Sequence, residues 1–277
     1  MIRTLHIDTG REMQGGQWQV LYLVERLREA RLNARPGSPL HDEAVRRGLN
    51  VASDDFYSVD LVHAHDARAH SKALWRREVW ESLVVSRRVG FPIGRSFLSR
   101  LKYQGTILYL AVSQYVAWQL RDAGVPDEKI RIIYDGIPIP PTPATPEPGR
   151  VIAVPSKYKD VGIPVHLTKN LFDDLQTASV FLYVSEMEGL GSAAIAAMAS
   201  GVPVVASGVG GLSEVVEHER TGLIVRDGDY AKAVRRLLDN PKLAAEMGAA
   251  GREKARRKFS VEKMVQGTLD AYNEILR

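Results

Sequence analysis

Residues 179–229 read SVFLYVSEMEGLGSAAIAAMASGVPVVASGVGGLSEVVEHERTGLIVRDGD, and their alternation of apolar runs with glycine-rich turns decides the fold. The apolar run at 180–184 predicts a buried strand, and the small residues at 192–199 predict a helix beyond the following turn. A second apolar run at 202–206 predicts another strand, which leads into three further glycines. Strand, polar or glycine-rich turn and helix in this order are typical of a doubly wound parallel sheet.

The same order extends outward to both ends of the chain. Further strands, each ending in polar residues, are predicted at 4–8, 59–64, 82–85, 107–112, 130–134 and 151–154. Amphipathic stretches predict helices after the Gly15-Gly16 pair, at 114–123, at 171–177 and at about 261–276. The sequence therefore predicts an α/β fold whose ligands bind beyond the carboxyl ends of the strands, where most of the polar turns lie.

A proline-rich segment, IPIPPTPATPEPG at 137–149, separates two halves of this pattern, and six of its thirteen residues are proline. Proline has no amide donor and a fixed φ, so the segment is predicted to be a semi-rigid linker. We therefore expect an N-terminal domain at 1–136 and a C-terminal nucleotide domain at 150–260, with a cleft between them. The helix at 261–277 is expected to return to the N-terminal domain.

Composition excludes some kinds of chemistry. The 277 residues include no cysteine, which excludes disulfides and thiolate metal ligands. The N-terminus does not read as a signal peptide, and no apolar run approaches the ~18–20 residues that span a bilayer. We therefore expect a cytoplasmic protein, peripheral on the inner face of the membrane if it binds one.

Positive charge is concentrated at 67–104, where nine Arg and Lys residues stand against two Glu. The segment is either a solvated helical face or a surface for an anionic partner, such as phospholipid headgroups or a phosphorylated glycan. Nothing in it matches a nucleic-acid-binding module, so no nucleic-acid partner is expected.

The turn EGLGS at 188–192 is the strongest local signal for chemistry. It places the carboxylate of Glu188 at a strand end, before two glycines and the first turn of a helix. Glycines let a ligand approach the backbone and helix-terminal amides attract anions, so the turn suits a diphosphate, with Glu188 bonding to hydroxyls beside it. An ordinary strand-to-helix turn with a capping Glu has the same sequence, and the motif taken alone favours that interpretation.

The order of motifs in 179–229 resembles the donor-binding segment of retaining glycosyltransferases of family 4, and the resemblance continues through KLAAEMGAAGREKARRKFS at 242–260. In the first half, the Gly15-Gly16 pair is similar to the family's N-terminal glycine loop. The segments VDLVHAHDARAH, VVSRRVGFP and AVSQYVAWQLRDAGVPDEKIRIIYDGI are similar to members that act on lipopolysaccharide-type glycans.

This resemblance implies a GT-B fold, with two Rossmann-like doubly wound parallel-sheet domains facing a cleft. It also implies transfer of a hexose or similar sugar, with retention of configuration, from a nucleoside-diphosphate sugar to a glycan or glycolipid hydroxyl. The co-substrate would be of the UDP, GDP or ADP type, and no metal or other cofactor would be obligatory.

The resemblance also assigns residues to roles. Glu188 would contact the donor sugar, and amides around Leu190 and Gly191 would hold the diphosphate, assisted by Gly16 across the cleft. The other donor-binding candidates are Gly15, Lys157, His166, Gly189 and Ser192. Catalytic candidates on the acceptor side are His65 and Asp66, and those facing the acceptor or a phosphate are Arg87 and Arg88.

Three features depart from the family pattern. The acidic residue expected eight positions after Glu188, which would bind the ribose, is Ala196. The segment after the linker has room for only one strand-helix unit before residue 171, and the first half is also short. An alternative is therefore a degenerate GT-B protein that binds nucleotide or glycan without turnover.

A second alternative begins with His63-Ala64-His65-Asp66, because a His-x-His sequence at a strand end puts both imidazoles on one side, as in metal-dependent hydrolases. Such a site needs ligands from later strands, for which His166 and His218 are candidates. His6 supports neither interpretation in the sequence, and the resemblance favours glycosyl transfer.

Overall fold

The structure is a computed structural model that describes residues 1–52, 56, 58–94 and 97–277. The described chain forms two compact units: unit 1 comprises Met1–Tyr134 and Met264–Arg277, and unit 2 comprises Asp135–Lys263. Arg95 of the basic segment lies outside the described residues, as do the side chains of Arg77 and Arg100.

Unit 1 is a parallel six-stranded sheet with helices between its strands. Its elements are β1 (Thr4–Asp8), α1 (Gly15–Val24), β2 (Ala30–Ala34), α2 (Pro39–Arg46), β3 (Leu61–Ala64), α3 (Ala67–Leu74), β4 (Leu83–Arg87), α4 (Phe97–Gln104), β5 (Leu108–Ala111), α5 (Gln114–Asp122) and β6 (Ile130–Ile132). The strand order is β2-β1-β3-β4-β5-β6, so the chain changes direction across the sheet between β1 and β3. The described strand residues are largely apolar and buried because helices cover both faces.

Unit 2 is a parallel five-stranded sheet of the same kind. Its elements are β7 (Val151–Ala153), β8 (His166–Leu167), α6 (Leu171–Leu175), β9 (Val180–Tyr183), α7 (Ser192–Ala199), β10 (Val204–Ser207), α8 (Leu212–Val215), β11 (Gly222–Val225), α9 (Tyr230–Leu238) and α10 (Pro241–Lys258). The order β11-β10-β9-β7-β8 places the change of direction between β7 and β9. Two doubly wound parallel sheets of this kind confirm the predicted fold class.

The last helix, α11 (Val261–Ile275), begins in unit 2 and belongs to unit 1 from Met264 onward. The ring of Tyr272 is fully buried in the unit 1 core with Leu61, Val84 and Leu108, which lie on three strands of the sheet. Its hydroxyl lies 2.5 Å from Nδ1 of His63. A helix from the C-terminal end of the chain therefore completes the core that the first 134 residues begin.

The proline-rich segment 137–149 lies within unit 2 and is fastened along it by backbone hydrogen bonds. The amide of Ala144 donates to the carbonyl of Ser200 (2.7 Å), and that of Thr145 donates to the carbonyl of Gln176 (2.8 Å). The amide of Glu147 donates to the carbonyl of Thr177 at 2.9 Å. The segment, predicted as a linker, is thus part of the surface of one unit.

Several element boundaries differ from the sequence prediction. The strand predicted at 82–85 extends to Arg87, because Ser86 and Arg87 pair with Leu110 and Ala111 in the β4–β5 ladder. The strands β2, β8 and β11 were not predicted. In β2 only alternate residues are fully buried, and β8 is two exposed residues long, so neither has a continuous apolar run.

Candidate active site

Two of the candidate site residues of unit 2 lie where its sheet changes direction. Lys157 follows the carboxyl end of β7, and Glu188 follows the carboxyl end of the neighbouring strand β9. Ligands of open α/β sheets bind in the crevice at such a point, because the loops from the two strands diverge there. The two residues that sequence reasoning assigned to donor binding on separate loops are therefore adjacent in space.

Glu188 is held by two donors on one of its carboxylate oxygens. The Tyr183 hydroxyl donates to Oε2 at 2.8 Å, and Nζ of Lys157 lies 3.2 Å from the same atom. Among the described residues, the other oxygen, Oε1, has no hydrogen-bond partner, and the side chain is 17% exposed. Burial raises the pKa of Tyr183, as does the Glu188 charge, so the phenol stays protonated as a donor. The carboxylate is thus oriented with one oxygen still able to accept.

The turn after Glu188 depends on close approach between two glycine loops. Gly191 adopts φ +101° and precedes α7, a conformation that favours glycine. A Cβ on Gly191 would lie 2.5 Å from Cδ2 of Leu212, and one on Gly211 would collide with the carbonyl oxygen of Gly189. The Gly211 amide donates to the Glu188 carbonyl at 3.1 Å. This packing fixes the N-terminus of α7, where the Ala194 amide donates to the Gly191 carbonyl at 3.0 Å and the two amides before it have no partner within the helix.

Other predicted residues of unit 2 have different surroundings. The Ser192 hydroxyl donates to the buried carboxylate of Asp135 at 3.2 Å. His166 lies on the edge strand β8, where Nε2 is 3.3 Å from Asp174, and within the described residues no contact joins it to Lys157 or Glu188. Ala196, which stands where a ribose-binding acid was expected, is 1% exposed inside α7.

In unit 1 the change of direction lies between β1 and β3, and Asp66 follows β3 there. Its carboxylate accepts from the Thr9 amide (2.6 Å), the Thr9 hydroxyl (2.9 Å) and the amides of Arg68 and Ala69 at the start of α3. Both oxygens are therefore occupied in joining the loop after β1 to α3. Asp66, which was predicted to be catalytic, therefore holds this loop and α3 together through its hydrogen bonds.

A second carboxylate in unit 1, Asp8, was not identified from the sequence. It is buried at the end of β1, where it accepts from the Gly10 amide at 2.9 Å and from Nε2 of Gln17 at 3.1 Å. A Cβ on Gly10 would lie 2.6 Å from the same Gln17 nitrogen. Burial raises the pKa of Asp8. The spacing of Asp8 and Gly10 was the available signal, because an aspartate often accepts from the amide two residues on. These contacts shape the loop that leads to Gly15 and Gly16.

Three buried histidines lie together beneath this loop. The ring atoms of His6, His63 and His65 that could bind a metal lie within 4.8 Å of one another. His6 Nδ1 is 2.9 Å from His65 Nε2, His6 Nε2 is 3.0 Å from Thr4 Oγ1, and His63 lies between Tyr272 and Ser86. Burial lowers the pKa of all three, that of His6 to about 3, so they are neutral.

This cluster is a poor cation site, although it is the one the His-x-His sequence suggested. Nη1 of Arg88 lies 3.3 Å from His65 Nδ1, which puts a fixed positive charge against the imidazoles. The remaining ring nitrogens already have hydrogen-bond partners. His166 and His218, the proposed further ligands, lie in unit 2 and are absent from the cluster that the described residues form.

Arg87 and Arg88 point in different directions. Arg87 is 8% exposed, donates to the Tyr103 hydroxyl at 3.0 Å and to the Phe91 carbonyl at 2.5 Å, and has its pKa lowered by burial. Its position within β4 explains this inward direction. Arg88, past the strand, lies at His65, and its Cδ is 4.0 Å from where a Cβ on Gly16 would stand. Of the two arginines predicted to face a ligand, Arg88 alone lies beside the glycine loop.

Part of the basic segment forms an exposed face on α3 and on the two residues that follow it, Trp75 and Arg76. Arg68, Lys72 and Arg76 are exposed at four-residue intervals, and the Trp75 ring beside them is 87% exposed. Lys102 instead turns inward, where its ammonium donates to the Ala67 carbonyl at 2.9 Å. Among the described residues, none of the helices combines the length and the hydropathy that crossing a bilayer requires.

Comparison with known proteins relates the sequence of unit 2 to a family of glycosyl transferases. Residues 160–254 match the family model for glycosyl transferases group 1. The alpha-maltose-1-phosphate synthase of Mycolicibacterium smegmatis is 37% identical over 122 residues, which are 41% of this chain. The match covers 31% of that relative, so this chain spans less than a third of its length.

Solved structures resemble the whole chain. Anabaena HepE, crystallised in complex with UDP and glucose, superposes with a TM-score of 0.82 at 15% identity, over 99% of this chain and 100% of that one. The lipopolysaccharide outer core galactosyltransferase WaaB, in its apo form, gives 0.72 at 12% identity, over 99% of each chain. Residues 160–254 thus carry the sequence pattern of group 1 glycosyl transferases, on a chain with the GT-B fold.

Proposed function

We propose that the protein is a glycosyltransferase that moves a sugar from a nucleoside-diphosphate sugar to a hydroxyl of a glycan or glycolipid. The observation that carries the proposal is Glu188: a carboxylate oriented by Tyr183 and Lys157, with Oε1 available, at the point where the unit 2 sheet changes direction. A carboxylate oxygen in that position is suited to accept from the hydroxyls of a donor sugar. The sequence match over residues 160–254 supports the same assignment.

The chemistry proposed for unit 2 is stabilisation of a leaving diphosphate. The first-turn amides of α7 and the ammonium of Lys157 are preorganised donors, which stabilise negative charge as the bond to the sugar breaks. Glu188 would hold the sugar so that its reacting carbon faces the acceptor hydroxyl. We propose attack from the face that the diphosphate leaves, with retention of configuration, and transfer of the acceptor's proton to the departing phosphate. Protein groups supply the charge stabilisation in this scheme.

A UDP-type donor is the first to test, because HepE was crystallised with UDP and glucose. For the acceptor we propose a glycan or glycolipid presented at an anionic membrane surface on the cytoplasmic side. The exposed face formed by Arg68 and Lys72 on α3 and by Trp75 and Arg76 after it supports this proposal, because basic and aromatic side chains favour such interfaces.

The test is the Glu188→Gln variant, with Glu186→Gln as its matched control. Glu186 lies two residues earlier, is exposed, and pairs with Lys159 at 2.6 Å, so its loss should alter neither binding nor transfer. We expect Glu188→Gln to keep its affinity for UDP and to lower sugar transfer by about a hundredfold, because the sugar loses its orientation. Transfer at the wild-type rate would refute the role of Glu188.

The second candidate, a degenerate GT-B protein without turnover, is favoured by the buried Ala196 in place of the ribose-binding acid. It predicts that UDP, GDP or ADP raises the melting temperature while no sugar is transferred or released from any of the corresponding nucleotide sugars. If none of the three nucleotides shifts the melting temperature, the donor-binding proposal itself is wrong.

A further inference from the structure

A groove of about 560 Å³ lies at the edge of the unit 2 sheet where its strands begin. Among its lining residues, Ala178 and Ser179 come just before β9, and Pro203 comes just before β10. Glu188 follows the other end of β9, so the groove is separate from the candidate donor site. Sites that hold small molecules usually measure ~300–1,000 Å³, and the groove falls within that range.

The proline-rich segment and the helix α10 both line this groove. The segment contributes residues between Pro143 and Gly149. The helix contributes one face, because its lining residues recur at the spacing of three or four that places side chains on the same side, as in Pro241, Ala245, Ala249, Arg252 and Arg256. At a rise of about 1.5 Å per residue, this face is about 22 Å long. The groove therefore offers an elongated surface.

The lining changes in character along α10. Every lining residue of the helix up to Ala249 is proline or alanine, and Leu237 and Leu238 extend this apolar part at the end of α9. All the charged residues of the lining come later, at Arg252, Glu253 and Arg256. None of the lining residues is aromatic, so the apolar part presents aliphatic surface. An aliphatic chain with a charged group at one end matches this arrangement.

Arg252 determines the sign of the charge that such a ligand needs. Its side chain is 9% exposed, and its guanidinium donates to three backbone carbonyls, those of Ala199, Pro140 and Pro141. Among the described residues, none of its partners is a carboxylate. Glu253 instead lies 3.9 Å from Arg256, where both side chains are exposed. Because buried charges usually have a charged partner, the arginine favours an anion in the groove.

Two further observations agree with an anionic ligand. Burial and the charge of Arg256 both lower the pKa of Arg252, so a negative charge placed between the two guanidinium groups would relieve an unfavourable arrangement. A guanidinium has five N–H groups, and the three carbonyl bonds of Arg252 leave two of them for a carboxylate.

We propose that this groove binds a fatty acid, with the carboxylate at Arg252 and Arg256 and the alkyl chain along α10 towards Leu237 and Leu238. The proposal adds a ligand site at the edge of the unit 2 sheet opposite Glu188. It does not depend on the proposed sugar transfer, and its tests require no nucleotide.

The first experiment is a calorimetric titration of the full chain with decanoate, below the concentration at which decanoate forms micelles. We expect one decanoate per chain. Octanoate should bind up to about fifteenfold more weakly, because each methylene removed from water contributes up to about a fourfold change in affinity. Decyltrimethylammonium has the same chain with the opposite charge, and it should bind at least tenfold more weakly than decanoate.

The charged end of the groove is tested with two neighbouring arginines. Arg256→Gln should weaken decanoate binding about threefold to fivefold, the range for an exposed ion pair. Arg257→Gln is the matched control, because Arg257 is also exposed and does not line the groove. It should leave the affinity unchanged. Arg252→Gln should weaken binding at least tenfold, and urea unfolding shows whether it also loses stability, since Arg252 fastens the proline-rich segment.

The apolar part is tested by filling it. Ala245→Phe places a ring in the groove from an exposed position of α10 and should abolish decanoate binding. Glu246→Phe adds the same ring one residue later, at an exposed position that does not line the groove, and should bind decanoate as wild type does. In NMR spectra of the labelled chain, the terminal methyl of decanoate should give Overhauser contacts to the methyl groups of Leu237 and Leu238.

Equal binding of decanoate and decyltrimethylammonium would overturn the proposal, as would unchanged binding in Ala245→Phe. Binding seen only above the micelle concentration, or only to anionic vesicles, would mean that the chain meets lipid assemblies and has no site for a single fatty acid. Contacts between the decanoate methyl and the charged end would reverse the proposed orientation and refute it. If Arg252→Gln fails to fold, the comparison of Arg256→Gln with Arg257→Gln decides whether the carboxylate lies there.

Discussion

Adding one methyl group at Gly191 tests whether the packing of the two glycine loops builds the donor site. In Gly191→Ala the new Cβ would lie 2.5 Å from Cδ2 of Leu212, where carbon atoms normally stay about 3.5–4.0 Å apart. Leu212 is fully buried, so it cannot swing into solvent to make room. Because Glu188 lies in the same turn, the strain should reach the residue on which the proposed function depends.

The expected loss of stability has two parts. A residue with a Cβ held at the φ of +101° found at Gly191 costs about 1–2 kcal/mol relative to glycine. The overlap with Leu212 adds about 1–3 kcal/mol, the usual range for overpacking a core. We therefore expect Gly191→Ala to lose about 2–5 kcal/mol of the free energy of unfolding and to bind UDP more weakly.

Gly228→Ala is the matched control, because Gly228 has φ +85° and a Cβ there would meet no atom within 4 Å. It should show the backbone cost alone, about 1–2 kcal/mol, with unchanged UDP affinity. Urea unfolding of the three proteins measures the stabilities, and calorimetric titration measures the affinities. Equal stabilities for the two variants would show that the overlap with Leu212 costs nothing. Normal UDP binding by Gly191→Ala would show that this turn does not form part of the donor site.

Two further predictions concern pH and membranes. Burial lowers the pKa of His6 and His70 from 6.5 to about 3 in the folded state, so below about pH 6.5 the unfolded chain takes up protons that the folded chain does not. The free energy of unfolding should therefore be greatest above that pH and should fall as the pH drops towards 4. The fall should be less steep in His70→Phe, and a flat profile from urea unfolding would contradict this. The protein should bind anionic vesicles and lose binding as salt rises, and Lys72→Glu with Arg76→Glu should abolish it, whereas equal binding to neutral vesicles would exclude an electrostatic interface.

The fold was accessible from the sequence because its signals are local. The run at 180–184 is apolar throughout and contains β9, and the helix at 192–199 has the bounds that the small residues predict. Glu188 stood out as a candidate for the same reason, since a carboxylate between a buried strand and a glycine turn spans only five residues, and its role stays a prediction. β2 and β8 were missed because one is only alternately buried and the other is two residues long.

The candidate site in unit 1 was harder to predict from the sequence, because its residues come from separate strands and meet only in the folded sheet. His6 lies 59 residues from His65, and neither neighbouring sequence indicates that the two rings meet. Arg87 and Arg88 look equivalent in the sequence, but the register of β4 buries the first and leaves the second past the strand. Asp66 was assigned to the acceptor side by the family resemblance, and only the contacts with Thr9 and α3 show its oxygens occupied.

The burial of Tyr272 in unit 1 has a consequence for the order in which the chain folds. Unit 2 is continuous in sequence from Asp135 to Lys263, so all its residues are available before α11 has been synthesised to its end. Unit 1 lacks part of its core until Tyr272 arrives, and Nδ1 of His63 lacks its Tyr272 partner for the same period. The N-terminal sheet, although made first, is therefore expected to mature last, and its exposed apolar surface is where a chaperone would bind during translation.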